Sequence, residues 1–269
     1  PDEIHFTPDL FEDLKRRDFT INSMAVHLSD GALVDPHSGR KDLKRKLIRA
    51  IGLPTERFRE DGLRLLRACR FAAQLEFDIE KNTHTAMTDT VHTIKQVSAE
   101  RIRDELVKML ASAKPSIGFR VMEETGLLRL ILPELADCRG VEQGGFHSFD
   151  VLDHSLLACD GAAPDNLVVR LAALLHDIGK ATAIQKDEHG GISFHRHEQD
   201  SEDMCHNIMR RLKFSKEEEK NVCHLIAHHM FNYQAEWSDG AVRRFISRVG
   251  KEYITPLFDL RIADQYGMH

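Results

Sequence analysis

Two sets of side chains in this 269-residue sequence have the types and spacing to do chemistry. The first is Asp61 and Arg64, within Glu60-Asp61-Gly62-Leu63-Arg64-Leu65-Leu66-Arg67-Ala68-Cys69-Arg70-Phe71. Leu63, Leu66, Cys69 and Arg70 recur near a period of 3.6, and Leu65, Ala68 and Phe71 thicken the apolar side. This predicts a helix over 61–75, on which residues three apart share a face. An ionised Asp only accepts hydrogen bonds and an Arg only donates them. Side by side they match the pairing edge of cytosine (N4 donor, N3 acceptor) and of adenine (N6 donor, N1 acceptor). Guanine and uracil present the reverse order and would leave groups unpaired. The same spacing also describes an ordinary surface ion pair, which is common and weak. Upstream, Arg16-Arg17-Asp18-Phe19-Thr20-Ile21-Asn22 packs two guanidinium groups, a carboxylate and an amide into seven residues. Guanidinium groups hold phosphates in bidentate fashion. Asp18 and Asn22 suit a ribose hydroxyl or the arginines themselves, and a solvated charged face is the alternative reading. Arg67 and Arg70 complete the candidate nucleotide contacts.

The second set is rich in imidazole. It comprises His154, His176-Asp177 within Leu174-Leu175-His176-Asp177-Ile178-Gly179-Lys180, His195 and His197, His228-His229, and Asp264. Imidazole together with carboxylate suits Mg²⁺, Mn²⁺, Fe, Ni²⁺ or Zn²⁺. Adjacent His176 and Asp177 at a helix end can give two ligands to one metal or bridge two. Any single histidine here is equally a packed or surface residue, and that reading is preferred for His195, His206 and His224. His176-Asp177 with His154 differs, because a buried His-Asp pair without a metal would carry an uncompensated desolvation cost. Such a site would activate water for attack on a phosphoester.

The elements that must position these groups read as mostly helical. A short hairpin is expected over 25–35, around Ser29-Asp30-Gly31, and a turn at Asp35-Pro36-His37-Ser38-Gly39. Helices are then expected over 61–75, 81–94, from Ser98 to the Lys114-Pro115 break, and over 116–124 up to Gly126. A loop through Gly140, Gly144 and Gly145 is the best linker. Beyond it, helices are expected over 151–159, 166–175, 198–212, 215–229, 240–249 and 254–265.

Charge is uneven. Residues 1–130 hold 22 Lys+Arg against 21 Asp+Glu, and residues 131–269 hold 15 against 22. Residues 40–70 hold 11 basic and 4 acidic side chains, a local basic surface suited to phosphate contact rather than bulk nucleic-acid binding. Eleven of the 16 histidines follow residue 130. No run of eighteen apolar residues occurs, so no membrane helix is expected. Five scattered cysteines without a CxxC read as reduced, buried thiols of a cytosolic protein.

Four segments occur in a telling order: Arg16–Ala25, Asp35–Leu43, Glu60–Phe77 and Ser98–Leu110. They resemble the consecutive motifs of class II tRNA nucleotidyltransferases and bacterial poly(A) polymerases. The resemblance implies that Arg16, Arg17, Asp18 and Asn22 meet the sugar and phosphates of the incoming nucleotide. It implies that Asp61 and Arg64 are the protein template for the base, and that Ser98–Leu110 buttresses the neck. It also implies transfer of AMP, with CMP as a second candidate, from ATP or CTP to a tRNA or other RNA 3′ end. The family's Gly-Gly turn and Asp-x-Asp pair, which holds the catalytic Mg²⁺, have no counterpart in this sequence. The start at Pro1, without an initiator Met, reads as a missing front.

The histidine-rich half resembles the HD-domain metal-dependent phosphohydrolases, whose pattern is H…HD…D. By that resemblance His154, His176, Asp177 and Asp264 ligate one divalent metal such as Ni²⁺, Mn²⁺ or Mg²⁺, with His176 and Asp177 central to catalysis. His197 and His229 fit the extra positions of two-metal members, and Lys180 suits a phosphate. The implied activities are phosphatase and 2′,3′-cyclic phosphodiesterase action. The expected architecture is mostly α (α+β overall). It comprises a small strand-containing head remnant over 1–50, a helical neck and body over 51–137, and an all-helical HD domain over 138–269.

Overall fold

Pro, Ser and Asn punctuation divides this chain into short helices, and strands are correspondingly few. The computed structural model describes residues 9–143, 149–186, 191–231 and 236–268. At the front, α1 (Leu10–Lys15) leads through a 3-10 turn (Thr20–Asn22) to the hairpin of β1 (Ala25–Val26) and β2 (Leu33–Val34). This is the expected hairpin, with Ala25 opposite Val34. Then come α2 (Gly39–Arg45), β3 (Leu47–Ile48), α3 (Pro54–Glu60), α4 (Leu63–Leu75) and β4 (Asp78–Ile79). Strands β3 and β4 pair in parallel across α3 and α4, a long-range pairing that no local pattern announced.

Helix α5 (Lys81–Thr90) passes into a 3-10 turn over Val91–Gln96 and then α6 (Ala99–Leu110). Helices α7 (Pro115–Glu124), α8 (Leu127–Ile131) and α9 (Pro133–Ala136) complete the middle. Starts follow the cap residues: Ser98 accepts from the Arg101 N–H, and Pro115 opens α7 where its missing N–H costs nothing.

The C-terminal half holds α10 (Val151–Gly161), α11 (Leu167–Leu175), α12 (Lys180–Ala183), α13 (His197–Arg211), α14 (Lys216–His228), α15 (Asp239–Val249) and α16 (Ile254–Tyr266). Asn166 caps α11, and Ser215 with Glu218 forms a capping box on α14. The mostly helical reading holds. Within this half one short antiparallel ladder interrupts the helices: β5 (Ile184–Lys186) pairs with β6 (Ile192–Phe194). Each strand is three residues long, too short for an alternating pattern to stand out. Of the expected linker, Gly140 is described and Gly144 and Gly145 lie outside the described residues. All five cysteines are free and buried, as expected of reduced thiols.

One apolar core runs from Phe19 to Ala263 through both halves. Arg170, only 1% exposed, crosses it as a polar staple. Its Nε donates to the Ala162 carbonyl at 3.0 Å, and its Nη1 donates to the Leu110 and Ser112 carbonyls, each at 2.9 Å. The end of α6 is thereby tied to α11. Nearby, Asp160 accepts from the Ser116 N–H at 3.0 Å and its hydroxyl at 2.6 Å, fixing the start of α7 to α10. Replacing Arg170 by Met would strand three buried carbonyls, so the unfolding free energy should fall by about 3–5 kcal/mol. Urea unfolding reads this as a lower midpoint. An unchanged midpoint would show that the carbonyls find other donors.

Candidate nucleotide template and metal centre

The front site begins with α1 and the 3-10 turn. Arg16 and Arg17 both reach Asp13, at 3.3 and 3.1 Å, and remain about half exposed at 50% and 49% of their side-chain surface. Arg17 also donates to the Asn22 carbonyl at 3.2 Å. Asp18 is buried. It accepts from the Asn22 amide at 2.6 Å and from Nε of Arg67 on α4. Arg70 pairs through Nε with buried Glu105 of α6 at 2.7 Å, and its guanidinium lies 4.3 Å from the Phe71 ring centroid. Phe71 in turn meets Phe19 edge to face, with ring centroids 5.7 Å apart. Sequence reasoning missed Glu105, whose only signal was an acid on the inner face of α6.

Asp61 does not lie in the helix with Arg64. It closes α3 in an extended conformation, φ −150° and ψ 107°, and α4 starts at Leu63. Its Oδ1 accepts from the Leu63 N–H at 3.0 Å, the usual preference of Asp for a helix start. Its Oδ2 accepts from Nη2 of Arg101 on α6 at 2.7 Å. Arg64 pairs with Glu60 at 2.6 Å and donates to the carbonyls of Arg57 (3.0 Å) and Arg16 (3.2 Å). The simple ion pair between Asp61 and Arg64 is therefore absent. Gly62 lets this corner form: a Cβ there would stand 2.5 Å from the Thr93 carbonyl oxygen.

The second site forms where five helices meet. His154 comes from α10, His176 and Asp177 from the end of α11, His197 from the first residue of α13, His229 from just past α14, and Asp264 from α16. All six are buried. His154 Nε2 lies 3.2 Å from His176 Nε2, 3.1 Å from Asp264 Oδ1 and 3.5 Å from Asp177 Oδ2. His176 Nε2 is 3.3 Å from Asp177 Oδ2 and 3.4 Å from Asp264 Oδ1. On the other side of the same carboxylate, Asp177 Oδ1 is 3.2 Å from His197 Nε2 and 3.6 Å from His229 Nε2. Asp177 thus stands between two ligand groups, His154/His176 and His197/His229.

Backbone carbonyls aim the rings. Nδ1 of His176 meets the Ala173 carbonyl at 2.9 Å, Nδ1 of His197 that of Phe194 at 3.0 Å, and Nδ1 of His229 that of Ile226 at 2.7 Å. With Nδ1 held to a carbonyl, each Nε2 points inward and, free of its own proton, would offer a lone pair as metal-ligating histidines do. His197 Nε2 is buried and makes no hydrogen bond of its own. The donor set, its convergence and this orphaned nitrogen fit one or two divalent ions. Gly179 permits the approach of α13, since a Cβ there would stand 2.4 Å from the His197 carbonyl oxygen.

Electrostatics follow from the crowding. Burial opposes charge on Asp177, yet His176 and Lys180 hold it well below the usual carboxylate range. Burial likewise opposes charge on Asp264, but His154 and His176 more than reverse this and hold it well below the usual carboxylate range. Burial pulls His176 down, but Asp177 and Asp264 raise it to about 10. For His229 burial dominates and its pKa is lowered. Lys180 Nζ donates to Asp177 Oδ2 at 2.6 Å and to Gln143 at 2.8 Å, and Arg261 to Asp264 Oδ2 at 3.0 Å. A cleft of about 340 Å³ opens over the cluster, bounded also by Phe194 and Met230. His195 is exposed, His206 pairs with Glu219 at 2.7 Å, and His224 stacks on His228. Gln143, Phe194, Met230 and Arg261 had no spacing signal in the sequence.

Among the described residues no helix is long and apolar enough to cross a membrane. Three family models match consecutive segments. The poly A polymerase head domain matches residues 1–49, the "probable RNA and SrmB-binding site of polymerase A" residues 76–139, and the HD domain residues 145–268. The chain is 37% identical to an A-adding tRNA nucleotidyltransferase of Deinococcus radiodurans, over 98% of this chain and 62% of that protein. It is 41% identical to a multifunctional CCA protein of Janthinobacterium sp., over 76% of this chain and 49% of that one. It therefore spans less than two thirds of these relatives. A crystal structure of the Bacillus stearothermophilus CCA-adding enzyme in complex with CTP shares the fold, with TM-score 0.68 over 96% of this chain and 56% of that one, at 24% identity.

The Asp18–Arg67 link gives a pH-dependent expectation. Burial raises the Asp18 pKa, and Arg67 and Asn22 more than reverse this, leaving it below the ordinary 3.8. A depressed folded value means the stabilisation is full above the unfolded value and is lost as pH falls through the folded one. Asp18→Asn should cost about 1–3 kcal/mol at pH 7, and the gap should narrow below pH ~4. Urea unfolding at several pH values measures it. A gap that stays constant with pH would mean the carboxylate charge contributes nothing.

Proposed function

The chain belongs to the class II CCA-adding and poly(A) polymerase family, with part of the head domain, an RNA-binding region and an HD domain. From that premise we propose that it is the nucleotide-selecting, RNA-holding and phosphohydrolase portion of an RNA 3′-end nucleotidyltransferase. The protein would add AMP, and CMP as a second nucleotide, from ATP and CTP to tRNA. The observation that carries this is the 37% identity to an A-adding tRNA nucleotidyltransferase across nearly the whole chain.

In this reading Arg16 and Arg17, exposed beside the template corner, seat phosphates. Asp18 and Asn22 hold that segment to α4 through Arg67. Asp61 accepts from the base amino group and Arg64 donates to the ring nitrogen. Asp61 keeps free lone pairs while bonded to Leu63 and Arg101, because a carboxylate has about four acceptor sites. Phosphoryl transfer also needs divalent ions bridging the triphosphate. No Asp-x-Asp pair occurs in this sequence, so these residues select and seat the nucleotide.

In the HD domain, His154, His176, Asp177 and Asp264 would hold one divalent ion, and Asp177, His197 and His229 a second. A bound ion would polarise a phosphoryl oxygen and make water a nucleophile at neutral pH. Lys180 and Arg261 would meet the phosphate and temper the charge of Asp177 and Asp264. A second reading, a phosphohydrolase whose front half only binds RNA or nucleotide, is supported by the two buried ligand groups His154/His176/Asp177 and Asp177/His197/His229.

Equilibrium binding of ATP, CTP, GTP and UTP tests the template. The wild-type chain should prefer ATP and CTP, and Asp61→Ala should flatten the preference while weakening triphosphate binding less. Equal discrimination in the variant would contradict the template role. For the HD site, hydrolysis of 2′,3′-cAMP should require added Ni²⁺, Co²⁺ or Mn²⁺. It should fall in His176→Ala by more than the roughly 10–100-fold that an outer-sphere change costs. Absence of turnover with every metal would remove the hydrolase activity.

A further inference from the structure

Helix α2 carries positive charge that the rest of the fold does not answer. Arg40, Lys41, Lys44, Arg45 and, at its end, Lys46 are all exposed. Among the described residues none of these side chains pairs with an acid. The acid within the run, Asp42, is buried, where it accepts from the Thr20 hydroxyl at 2.8 Å and from Nε of Arg49 at 3.0 Å. Asp35 is spent on the backbone N–H groups of Gly39 and Arg40, at 2.7 and 3.0 Å. Arg40 with Lys44, and Lys41 with Arg45, are like charges four residues apart, which weaken a helix. In the same basic stretch Arg49, Arg57, Arg64, Arg67 and Arg70 are each paired with an acid. The charge of residues 40–70 thus divides into paired arginines and one unpaired array on α2. That array borders an open groove of about 530 Å³, lined by Asp35, Ser38 and four of the cations, with no aromatic ring. The helix sits against the Arg16–Asn22 segment: Gly39 lies too close to the Thr20 carbonyl to admit a Cβ.

We propose that α2 is a docking surface for the sugar-phosphate backbone of a double-stranded RNA stem, outside the 76–139 segment that matches the RNA-binding family model. This surface deepens the RNA-holding function proposed for the chain and rests on it. Unpaired lysines and arginines bind RNA by releasing counterions condensed on its phosphates, and that gain offsets the repulsion within α2. Single strands are held on aromatic platforms where bases stack. This groove has none, so it suits a stem, whose bases already stack on one another. A protein partner would need an apolar centre. The run from Gly39 to Lys46 offers only Leu43, 44% exposed. Because Asp42 of α2 is bonded to Thr20, a stem held there is brought beside the segment proposed to seat the nucleotide.

The test is equilibrium binding of an RNA hairpin with a single-stranded 3′ tail, over a range of KCl concentrations. In the combined variant Lys41→Gln, Lys44→Gln, Arg45→Gln, the slope of log K against log salt should become shallower by about one unit per residue removed. Lys44→Gln alone should change it by about one unit, and hairpins of different sequence should respond alike. The tail as a free single strand should lose less than the hairpin. Neutralising the exposed Arg243, Arg244 and Arg248 of α15 removes the same net charge and should leave the slope unchanged. Binding of ATP and CTP should also be unchanged in the α2 variants. An unaltered slope, an equal loss in the α15 variant, or a parallel loss of ATP and CTP binding would overturn the docking surface. So would binding to phosphatidylglycerol vesicles that the α2 variant abolishes while its RNA binding persists. Wild-type RNA binding with an intact slope in the α2 variant removes this surface and keeps the RNA-holding function. No RNA binding by the wild-type chain removes both.

Discussion

The burial of Asp177 is the constraint on which the C-terminal half depends. A carboxylate this deep requires positive charge or donors on every side. The fold answers by ending elements at it: α11 delivers Asp177 and His176, α13 starts with His197, α14 stops before His229, and α10 and α16 contribute His154 and Asp264. Element ends suit this role because their carbonyls can accept from the Nδ1–H of a nearby histidine: Ala173 and Ile226 lie in the last turns of α11 and α14, and Phe194 ends β6. Ala173, Phe194 and Ile226 do this for His176, His197 and His229. The geometry of the centre is therefore set by backbone.

In the front half the arginines hold distant segments together. Arg57 and Arg64 donate to the carbonyls of Lys15 and Arg16, so the α1 segment is pinned to α3 and α4. Arg67 and Arg70 are committed to Asp18 and Glu105. That leaves Arg16 and Arg17 as the more exposed guanidinium groups of the nucleotide-binding candidates. Asp61 is tied to α6 by its 2.7 Å ion pair with Arg101, so the corner between α3 and α4 is fixed to that helix. The two halves share one core, with Arg170 and Asp160 tying α6 and α7 to α10 and α11.

The helical architecture was legible because its signals are local. Ser98, Asn166 and Ser215 mark helix starts by accepting from the N–H three residues on, Pro115 by lacking an N–H, and apolar periodicity marks the buried faces. The ladders β3–β4 and β5–β6 were not legible. The first joins residues about thirty apart, and the second has strands too short to alternate visibly. The helix expected from Asp61 formed over Leu63–Leu75, with Asp61 itself left outside it in an extended conformation. Gly62 beside it packs so close to the Thr93 carbonyl, from a distant segment, that a Cβ would not fit, which no local pattern announces.

The sequence by itself determined residue chemistry and order: which side chains donate, accept or ligate, and that His-Asp, Arg-Arg-Asp and Asp-x-x-Arg arise in a family's arrangement. These depend on covalent identity and spacing alone. Only the tertiary structure decided partners and direction. It paired Asp61 with Arg101 and Arg64 with Glu60, and it put His197 and His229 on the far oxygen of Asp177 from His154 and His176. It also brought Phe194 and Met230 to the same cleft. Such choices depend on which distant segments pack together, and a hydrogen bond or ligand lone pair acts only within about 3 Å of its partner.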